Sequence, residues 1–199
     1  MSEKKYLRGF ANFGMLPVTK NDADGYTVDD SKYLAVPGGQ SCSKTDNRSD
    51  YTINADDGVW DDGSEWESTT LDVTVVETEL STMADMLGIT LTGDDVMEEG
   101  TFDDPPERAL SFSGLRKDGG YRLFRYYAAK CTGYDVSHTT KGQSTDAQAY
   151  TFHFKCTPRK SDGKIRATKD VDKGDSLNWL SQFTPASQTQ TPEETPSSP

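Results

Sequence analysis

The sequence of 199 residues contains no long apolar run. A membrane-spanning helix needs a window of about 18 or more uncharged apolar residues, and no such window occurs, so we expect no membrane partner. Four of the first ten residues are charged and no apolar stretch follows them, which argues against a secretory signal peptide. Synthesis in a reducing cytosol is the resulting expectation.

Cysteine and histidine are both scarce. Cys42, Cys131 and Cys156 are an odd number and none forms a Cys-x-x-Cys pair, so we expect three free thiols that are mostly buried. The histidines, His138 and His153, lie in no Ser-His or Cys-His motif. The sequence therefore gives no support to nucleophilic catalysis.

Phosphate-binding loops are also missing. The glycine pairs at 38–39 and 119–120 are isolated turn residues, without the following helix or the lysine that a nucleotide-binding loop requires. We therefore expect no cofactor and no enzymatic activity.

Basic residues are absent from residues 49–107, which hold 18 Asp and Glu, whereas residues 108–173 hold 14 basic and 6 acidic residues. The net charge of −12 disfavours a nucleic-acid-gripping surface. Such separation of sign is typical of an internal ring of complementary charge, of two faces that meet in neighbouring copies, or of a solvated acidic face.

The acidic segment 55–67 leaves further alternatives open. Trp60 and Trp66 lie among its carboxylates, a combination found in carbohydrate-binding modules and, more remotely, in carboxylate-based glycoside hydrolases. Two Asp-Asp-Gly triplets invite a divalent cation, but they lack the ligand spacing and terminal glutamate of an EF-hand. The segment itself is predicted to be a loop or a hairpin tip.

Residues 69–88 carry the clearest change of period. Within 69–76 apolar and polar residues alternate, which predicts a strand with one buried face formed by Leu71, Val73 and Val75. The apolar residues of 80–87 then recur at helical spacing and Gly88 stands at the C-cap position, which predicts a short amphipathic helix.

The remaining segments predict more strands than helices. Asp118-Gly119-Gly120 separates two arms of a hairpin, residues 110–117 and 121–134. Further predictions are a bulged strand at 6–18, a polar loop at 19–30, a weak strand at 43–54, a strand at 147–158, a hairpin turn at 162–163 leading into 165–168, and helical spacing at 176–183. This pattern predicts a mainly β fold, an antiparallel sandwich or barrel-like domain with a flanking short α-helix.

The order of these pieces resembles the major tail protein family of long, non-contractile-tailed bacteriophages, the siphophages. The resemblance covers about residues 51–168 and rests on the succession of segments rather than on any one of them. These segments are Ala-Asp-Asp-Gly at 55–58, Leu-Asp-Val-Thr-Val at 71–75, Met-Leu-Gly at 86–88, an acidic loop ending at Pro105-Pro106, 110–116, 120–127, Lys130, Thr-Lys-Gly at 140–142, 150–154 and the hairpin at 159–164.

The resemblance implies a structural protein rather than an enzyme. Members form rings, here expected to be hexameric, which stack into the hollow tail tube. The implied partners are further copies of the chain, the tape-measure protein, the tail terminator and distal tail proteins, and DNA in transit. The implied location is the virion tail, assembled in the cytoplasm of the host bacterium.

Within such a tube, we expect two acidic segments, 56–67 and 94–107, to meet basic hairpins of a neighbouring copy or to line the bore. The candidate residues are Asp56, Asp57, Asp61, Asp62, Glu65, Glu67, Asp94, Asp95, Glu98, Glu99, Arg116, Lys117, Arg159, Lys160 and Lys164.

Residues 184–199 differ in composition from the predicted domain, residues 1–183: they are rich in Pro, Ser and Thr and offer almost no apolar surface. Ordering a residue costs about 1–2 kcal/mol in backbone entropy, which this segment has no means to offset. We expect a chain truncated after Phe183 to unfold at the same temperature as the full chain in thermal denaturation. A truncated chain that fails to fold would contradict this division.

Overall fold

The computed structural model describes residues 6–76, 78–138 and 148–183. In these residues nine strands form one antiparallel sheet, flanked by one α-helix, so the predicted mainly β class with a short helix is confirmed. The strands are β1 (Leu7–Asp22), β2 (Gly25–Val28), β3 (Leu34–Ala35), β4 (Gly39–Ala55), β5 (Gly58–Val75), β6 (Arg108–Arg116), β7 (Tyr121–Val136), β8 (Tyr150–Thr157) and β9 (Arg166–Val171), and the helix is α1 (Leu80–Leu87).

The sheet is open and follows the order β2-β1-β6-β7-β8-β5-β4, with β3 also on β1 and β9 also on β7. The predicted hairpin of β6 and β7 is confirmed. The turn that follows β8 is also present, closed by the Arg159 amide donating to the Lys164 carbonyl at 2.9 Å. The expected pairing across that turn is wrong, because β9 continues along the edge of the long strand β7, whose 16 residues extend beyond β8.

One face of the sheet carries the main core. Leu71, Val73 and Val75 are fully buried, as their alternation predicted, and Phe152 and Phe154 of β8 pack in the same cluster. Helix α1 contributes Met83, Met86 and Leu87 to this core. It ends as predicted at Gly88, whose φ of 74° is left-handed.

The three cysteines are free, as predicted. Cys131 and Cys156 are buried and Cys42 is half-buried. Burial raises the pKa of Cys131 to about 11 and that of Cys156 to about 12, so both remain thiols at neutral pH.

The opposite face is covered in part by the C-terminal segment, which Arg125 holds on β7. The Arg125 guanidinium lies 3.8 Å from the ring centre of Trp179 and 4.4 Å from that of Phe183. It also donates to the carbonyls of Trp179 and Gln182, and its burial lowers the pKa of Arg125 to about 10. The helical spacing predicted at 176–183 gives only the 3-10 turn Asn178–Leu180, and the Phe183 amide donates to the Asp30 carboxylate rather than to a carbonyl of its own segment.

Two predictions near the N-terminus need correction. The polar segment 19–30 is not a loop, because β1 runs to Asp22 and turns into β2, and the Asp22 carboxylate accepts from the Asp24 and Gly25 amides. The bulge in β1 is present, but its left-handed residue is Asn12, with φ 55°, rather than a glycine.

Several sequence predictions lie outside the described residues, namely the tail at 184–199 and the Thr-Lys-Gly segment at 140–142. In the described part of the chain, no helix has the length and apolar character needed to cross a membrane.

The contrast between core and surface aromatic residues is testable. Phe154 is fully buried, whereas Phe102 is 98% exposed in the acidic loop. We expect Phe154→Ala to lower the free energy of unfolding by about 3–5 kcal/mol, through lost burial and a residual cavity. Phe102→Ala should change it by about 0.5 kcal/mol or less. Urea denaturation measures both, and equal effects would contradict this assignment of the core.

Candidate interaction surface

The most unusual feature of the surface is a two-stranded extension of β4 and β5, residues 48–66, here called the arm. Residues 69–75 of β5 pair with β8, but the arm residues of β5 pair only with β4. Eight residue pairs, from Arg48 with Trp66 to Ala55 with Gly58, extend the arm about 25 Å beyond the sheet. Every arm residue is exposed or half-buried. Of the two structures predicted for 55–67, a loop or a hairpin tip, the hairpin tip is correct, and the weak strand predicted at 43–54 is part of β4.

The arm turns through Asp56 and Asp57, between the paired residues Ala55 and Gly58. The φ angles of Asp56 and Asp57 are 49° and 62°, as in a type I′ two-residue hairpin turn. Asn-Gly is the usual pair in this turn, and Asp is one of the few other residues that tolerate left-handed backbone. The absence of glycine at these two positions explains why the sequence did not predict a long regular hairpin here.

The tip of the arm exposes apolar side chains. Trp60 is 72% exposed, Val59 64% and Ile53 52%. An isolated two-stranded ribbon is marginally stable in water, and clustered exposed apolar groups mark interaction sites. The arm thus has the composition of a segment that is buried by a partner.

The acidic candidates fall into two groups at opposite ends of β5. Asp56, Asp57, Asp61, Asp62, Glu65 and Glu67 lie in the arm or at its root and are exposed. Asp94, Asp95, Glu98 and Glu99 lie in the loop after α1, where Glu99 accepts a hydrogen bond of 2.7 Å from the Tyr134 hydroxyl. The arm leaves β5 beyond Thr69, whereas α1 and this loop follow Val75.

The basic candidates divide into buried and exposed residues. Arg116 is 3% exposed, and its guanidinium is held by Asp118, Asp170 and Asp172, so little of it is open to a neighbouring copy. Lys117, by contrast, is exposed at the turn between β6 and β7.

The other basic candidates lie in the loop between β8 and β9. The Arg159 guanidinium stacks 4.1 Å from the Tyr127 ring centre and bonds to Asp162. Those hydrogen bonds lower the pKa of Asp162 to about 2. Lys160 and Lys164 are exposed, and the Lys164 ammonium lies 3.4 Å from Asp162.

No acidic residue of the arm forms an ion pair within the described residues. Elsewhere the acidic stretch 49–107 pairs in part with the basic stretch inside the chain, through Asp85 with Arg108 and Asp104 with Lys130. For the arm, two interpretations of the charge separation remain, contact between copies and a solvated acidic face.

The alternatives based on metal or sugar binding gain no support from this geometry. Across residues 6–76, 78–138 and 148–183, no cluster of three or more His, Cys, Asp or Glu has the arrangement of a metal site. Trp66 is half-buried at the root of the arm, where its indole donates to the Thr69 hydroxyl at 3.2 Å, while Trp60 lies near the tip. The two indoles do not form a shared platform for a sugar.

A second polar cluster, which the sequence did not predict, lies on the open face of the sheet. The His153 Nδ1 atom is 2.7 Å from Asp72 and its Nε2 atom is 3.1 Å from Asp135. Ser43 of β4 donates to the same Asp72 carboxylate. Both ring nitrogens can donate only when the imidazole is protonated. Only the adjacency of β5, β7 and β8 brings these three residues together, and no sequence spacing indicates it.

Comparison with known proteins gives distant structural likenesses. No family model and no curated protein sequence matches the chain. A chain of the extended sheath-tube complex of an extracellular contractile injection system, PVC, is 12% identical with a TM-score of 0.47, covering 81% of this chain and 90% of that chain. A chain of the anti-feeding prophage (AFP) baseplate is 9% identical with a TM-score of 0.41, covering 87% of this chain and 99% of that chain.

The His153 cluster predicts a pH dependence. Hydrogen bonding to Asp72, and then to Asp135, raises the pKa of His153 above its usual value. The protonated form is therefore favoured by folding, and this stabilisation is complete below about pH 6.5 and is lost as pH rises through the raised pKa. NMR titration should show the His153 midpoint above the usual value of about 6.5, and Asp72→Asn should lower it. A His153 midpoint at or below the usual value would contradict the cluster.

Proposed function

We propose that this chain is the repeating subunit of a phage-type tail tube, the major tail protein, and acts as a structural protein rather than an enzyme. The arm is the observation that carries the proposal. It projects about 25 Å of paired strand, and no second layer of the body covers it. Apolar side chains are exposed at its tip, and the charged side chains near the tip are all acidic.

A projecting arm at one end of the sheet favours contacts between unlike surfaces of successive copies. Contacts of this kind close into rings or continue along an axis, and a tube needs both. The arm and the acidic loop after α1 leave β5 at opposite ends, so the chain is polar along that strand. Polarity of the subunit gives the tube a direction, with the tail terminator and the distal tail proteins at its two ends.

The negative charge of the chain is suited to a tube through which DNA passes. With a net charge of −12 and exposed carboxylates, the wall of such a tube would not bind the DNA phosphates, which bind basic surfaces. In the proposed tube, rings of six subunits enclose the tape-measure protein first and conduct DNA to the host later. The predicted location is the virion tail, after assembly in the host cytoplasm.

At the junction between copies, we propose that the acidic residues of the arm and of the acidic loop face exposed basic side chains of a neighbouring copy. These are Lys44, Lys117, Lys160, Lys164 and Arg166. Each exposed pair contributes only about 0.2–1 kcal/mol. Repetition around a ring multiplies that modest contribution, because once one pair has formed the others form at high effective concentration.

This proposal predicts that reversing the charge of the arm blocks assembly. The change is Asp56→Lys with Asp57→Lys, Asp61→Lys and Asp62→Lys, all at exposed positions outside the core. Sedimentation velocity should show wild-type protein in large particles and the variant as monomers or single rings. Circular dichroism of the variant should match that of the wild type.

Two further variants control this experiment. Asp56→Asn with Asp57→Gly removes the charge of the turn but supplies the residues that a type I′ turn prefers, so it separates loss of charge from loss of the hairpin. Reversal of Lys44, Lys117, Lys160, Lys164 and Arg166 to Glu in the charge-reversed chain should restore particles. Normal particles from the charge-reversed chain alone would show that the arm carboxylates line the bore or are simply solvated.

A further inference from the structure

An apolar groove of about 450 Å³ opens on the body of the molecule at the root of the arm, between the start of β1 and the start of β4. Three rings from β6 and β7 form its floor, with the Phe112 and Phe124 ring centres 4.9 Å apart and Phe112 and Tyr126 6.1 Å apart. Leu7 and Phe10 form the β1 side. The volume lies in the range of sites that bury an aromatic ligand.

The rim of the groove carries two basic side chains. Lys44 of β4, whose ammonium pairs with Asp46, and Arg166 of β9 both line it, and Arg166 is exposed. At Gly9 an added Cβ would meet no atom within 4 Å, so this wall has open space in front of it. The groove therefore combines an aromatic floor, free volume and two cationic side chains.

The arm tip has the complementary chemistry. Its exposed apolar residues, Trp60 and Val59, are flanked in sequence by carboxylates at Asp57 and Asp61. An aromatic anchor surrounded by charge is typical of an interface hot spot, and the opposite charges of tip and rim fix its orientation.

The tip of the arm does not reach the groove of its own chain. Strand β4 passes from the groove at Lys44 straight into the arm, and Asp56 at the turn lies 12 residues further on, or about 40 Å along an extended strand. Both strands stay paired throughout, with bulges that bend the arm but do not reverse it. The occupant of the groove is therefore a different molecule.

We infer that the arm tip of one copy inserts Trp60 into this groove of a second copy. The carboxylates of the tip then lie against Lys44 and Arg166 of that second copy. This inference rests on the proposed self-assembly and names the contact that carries it. Tip and groove are different surfaces of the same chain, so every copy offers one of each. Such contacts can therefore continue from copy to copy, either closing into a ring or extending along an axis.

The direct test is cross-linking between two singly labelled proteins. One carries Val59→Cys, which leaves Trp60 intact, and the other carries Ser41→Cys, which places a thiol at the groove wall. Both carry Cys42→Ala, so that the remaining native cysteines are the buried Cys131 and Cys156. Mild oxidation of the mixture should give a covalent dimer on a non-reducing gel. Leu80→Cys, exposed at the start of α1 and outside the arm, the acidic loop and the groove, replaces Val59→Cys in the control and should give none.

Two variants then test the chemistry of the contact. Trp60→Ala removes the anchor, and Gly9→Phe fills the groove from the opposite side. Each should weaken association measured by sedimentation by about 30-fold or more, the loss typical of an aromatic hot spot. Leu80→Ala removes an exposed apolar side chain outside the arm, the acidic loop and the groove, and should leave association unchanged.

The outcomes separate this inference from the proposed function. Two results would overturn the groove contact and leave the tube proposal standing. One is normal particles from Trp60→Ala, and the other is cross-linking through Val59→Cys that is no stronger than through Leu80→Cys. A wild-type chain that does not associate at any concentration would overturn both.

Discussion

The surface of this molecule depends on a mismatch of length between two neighbouring strands. β5 has 18 residues, but β8 covers only residues 69–75 of it, so the remainder has a single partner strand and no second layer. The ladder between β4 and β5 satisfies the inward-facing backbone groups, whereas the outer edges and the apolar side chains of the arm stay in water. The exposed residues Trp60 and Val59 and the carboxylates of the tip all lie in the arm.

A projecting arm can position its tip only if the body behind it is rigid, and two buried arginines contribute to that rigidity. Arg116 joins the turn before β7 to β9 through Asp118, Asp170 and Asp172. Arg125 fixes the C-terminal segment on β7 through two rings and two carbonyls. The basic residues of 108–173 therefore have two roles. Arg116 and Arg125 are buried and hold segments of the chain together, whereas lysines such as Lys117 and Lys160 remain on the surface.

Local patterns predicted those parts of the fold that depend on neighbours in sequence. The alternation around Leu71, the helix ending at Gly88 and the turn at Gly119 were all correct, because period and turn chemistry are local properties. The first side of the arm was predicted as a weak strand at 43–54 and its tip as a loop or hairpin tip at 55–67. The length of the second strand was missed, since its polar, glycine-containing sequence buries no face and shows no alternation. The His153 cluster, the burial of Arg116 and the groove between β1 and β4 arise from long-range strand order, which single-sequence patterns do not encode.

The central claim is that the chain assembles with itself into tubes, and electron microscopy of the purified protein tests it most directly. At high protein concentration and moderate salt, negative-stain images should show hollow tubes or stacked rings of uniform width. Uniform width is the critical feature, because nonspecific aggregation through exposed apolar surface gives particles of irregular size. A field of separate small particles across the full range of concentration and salt would contradict the claim.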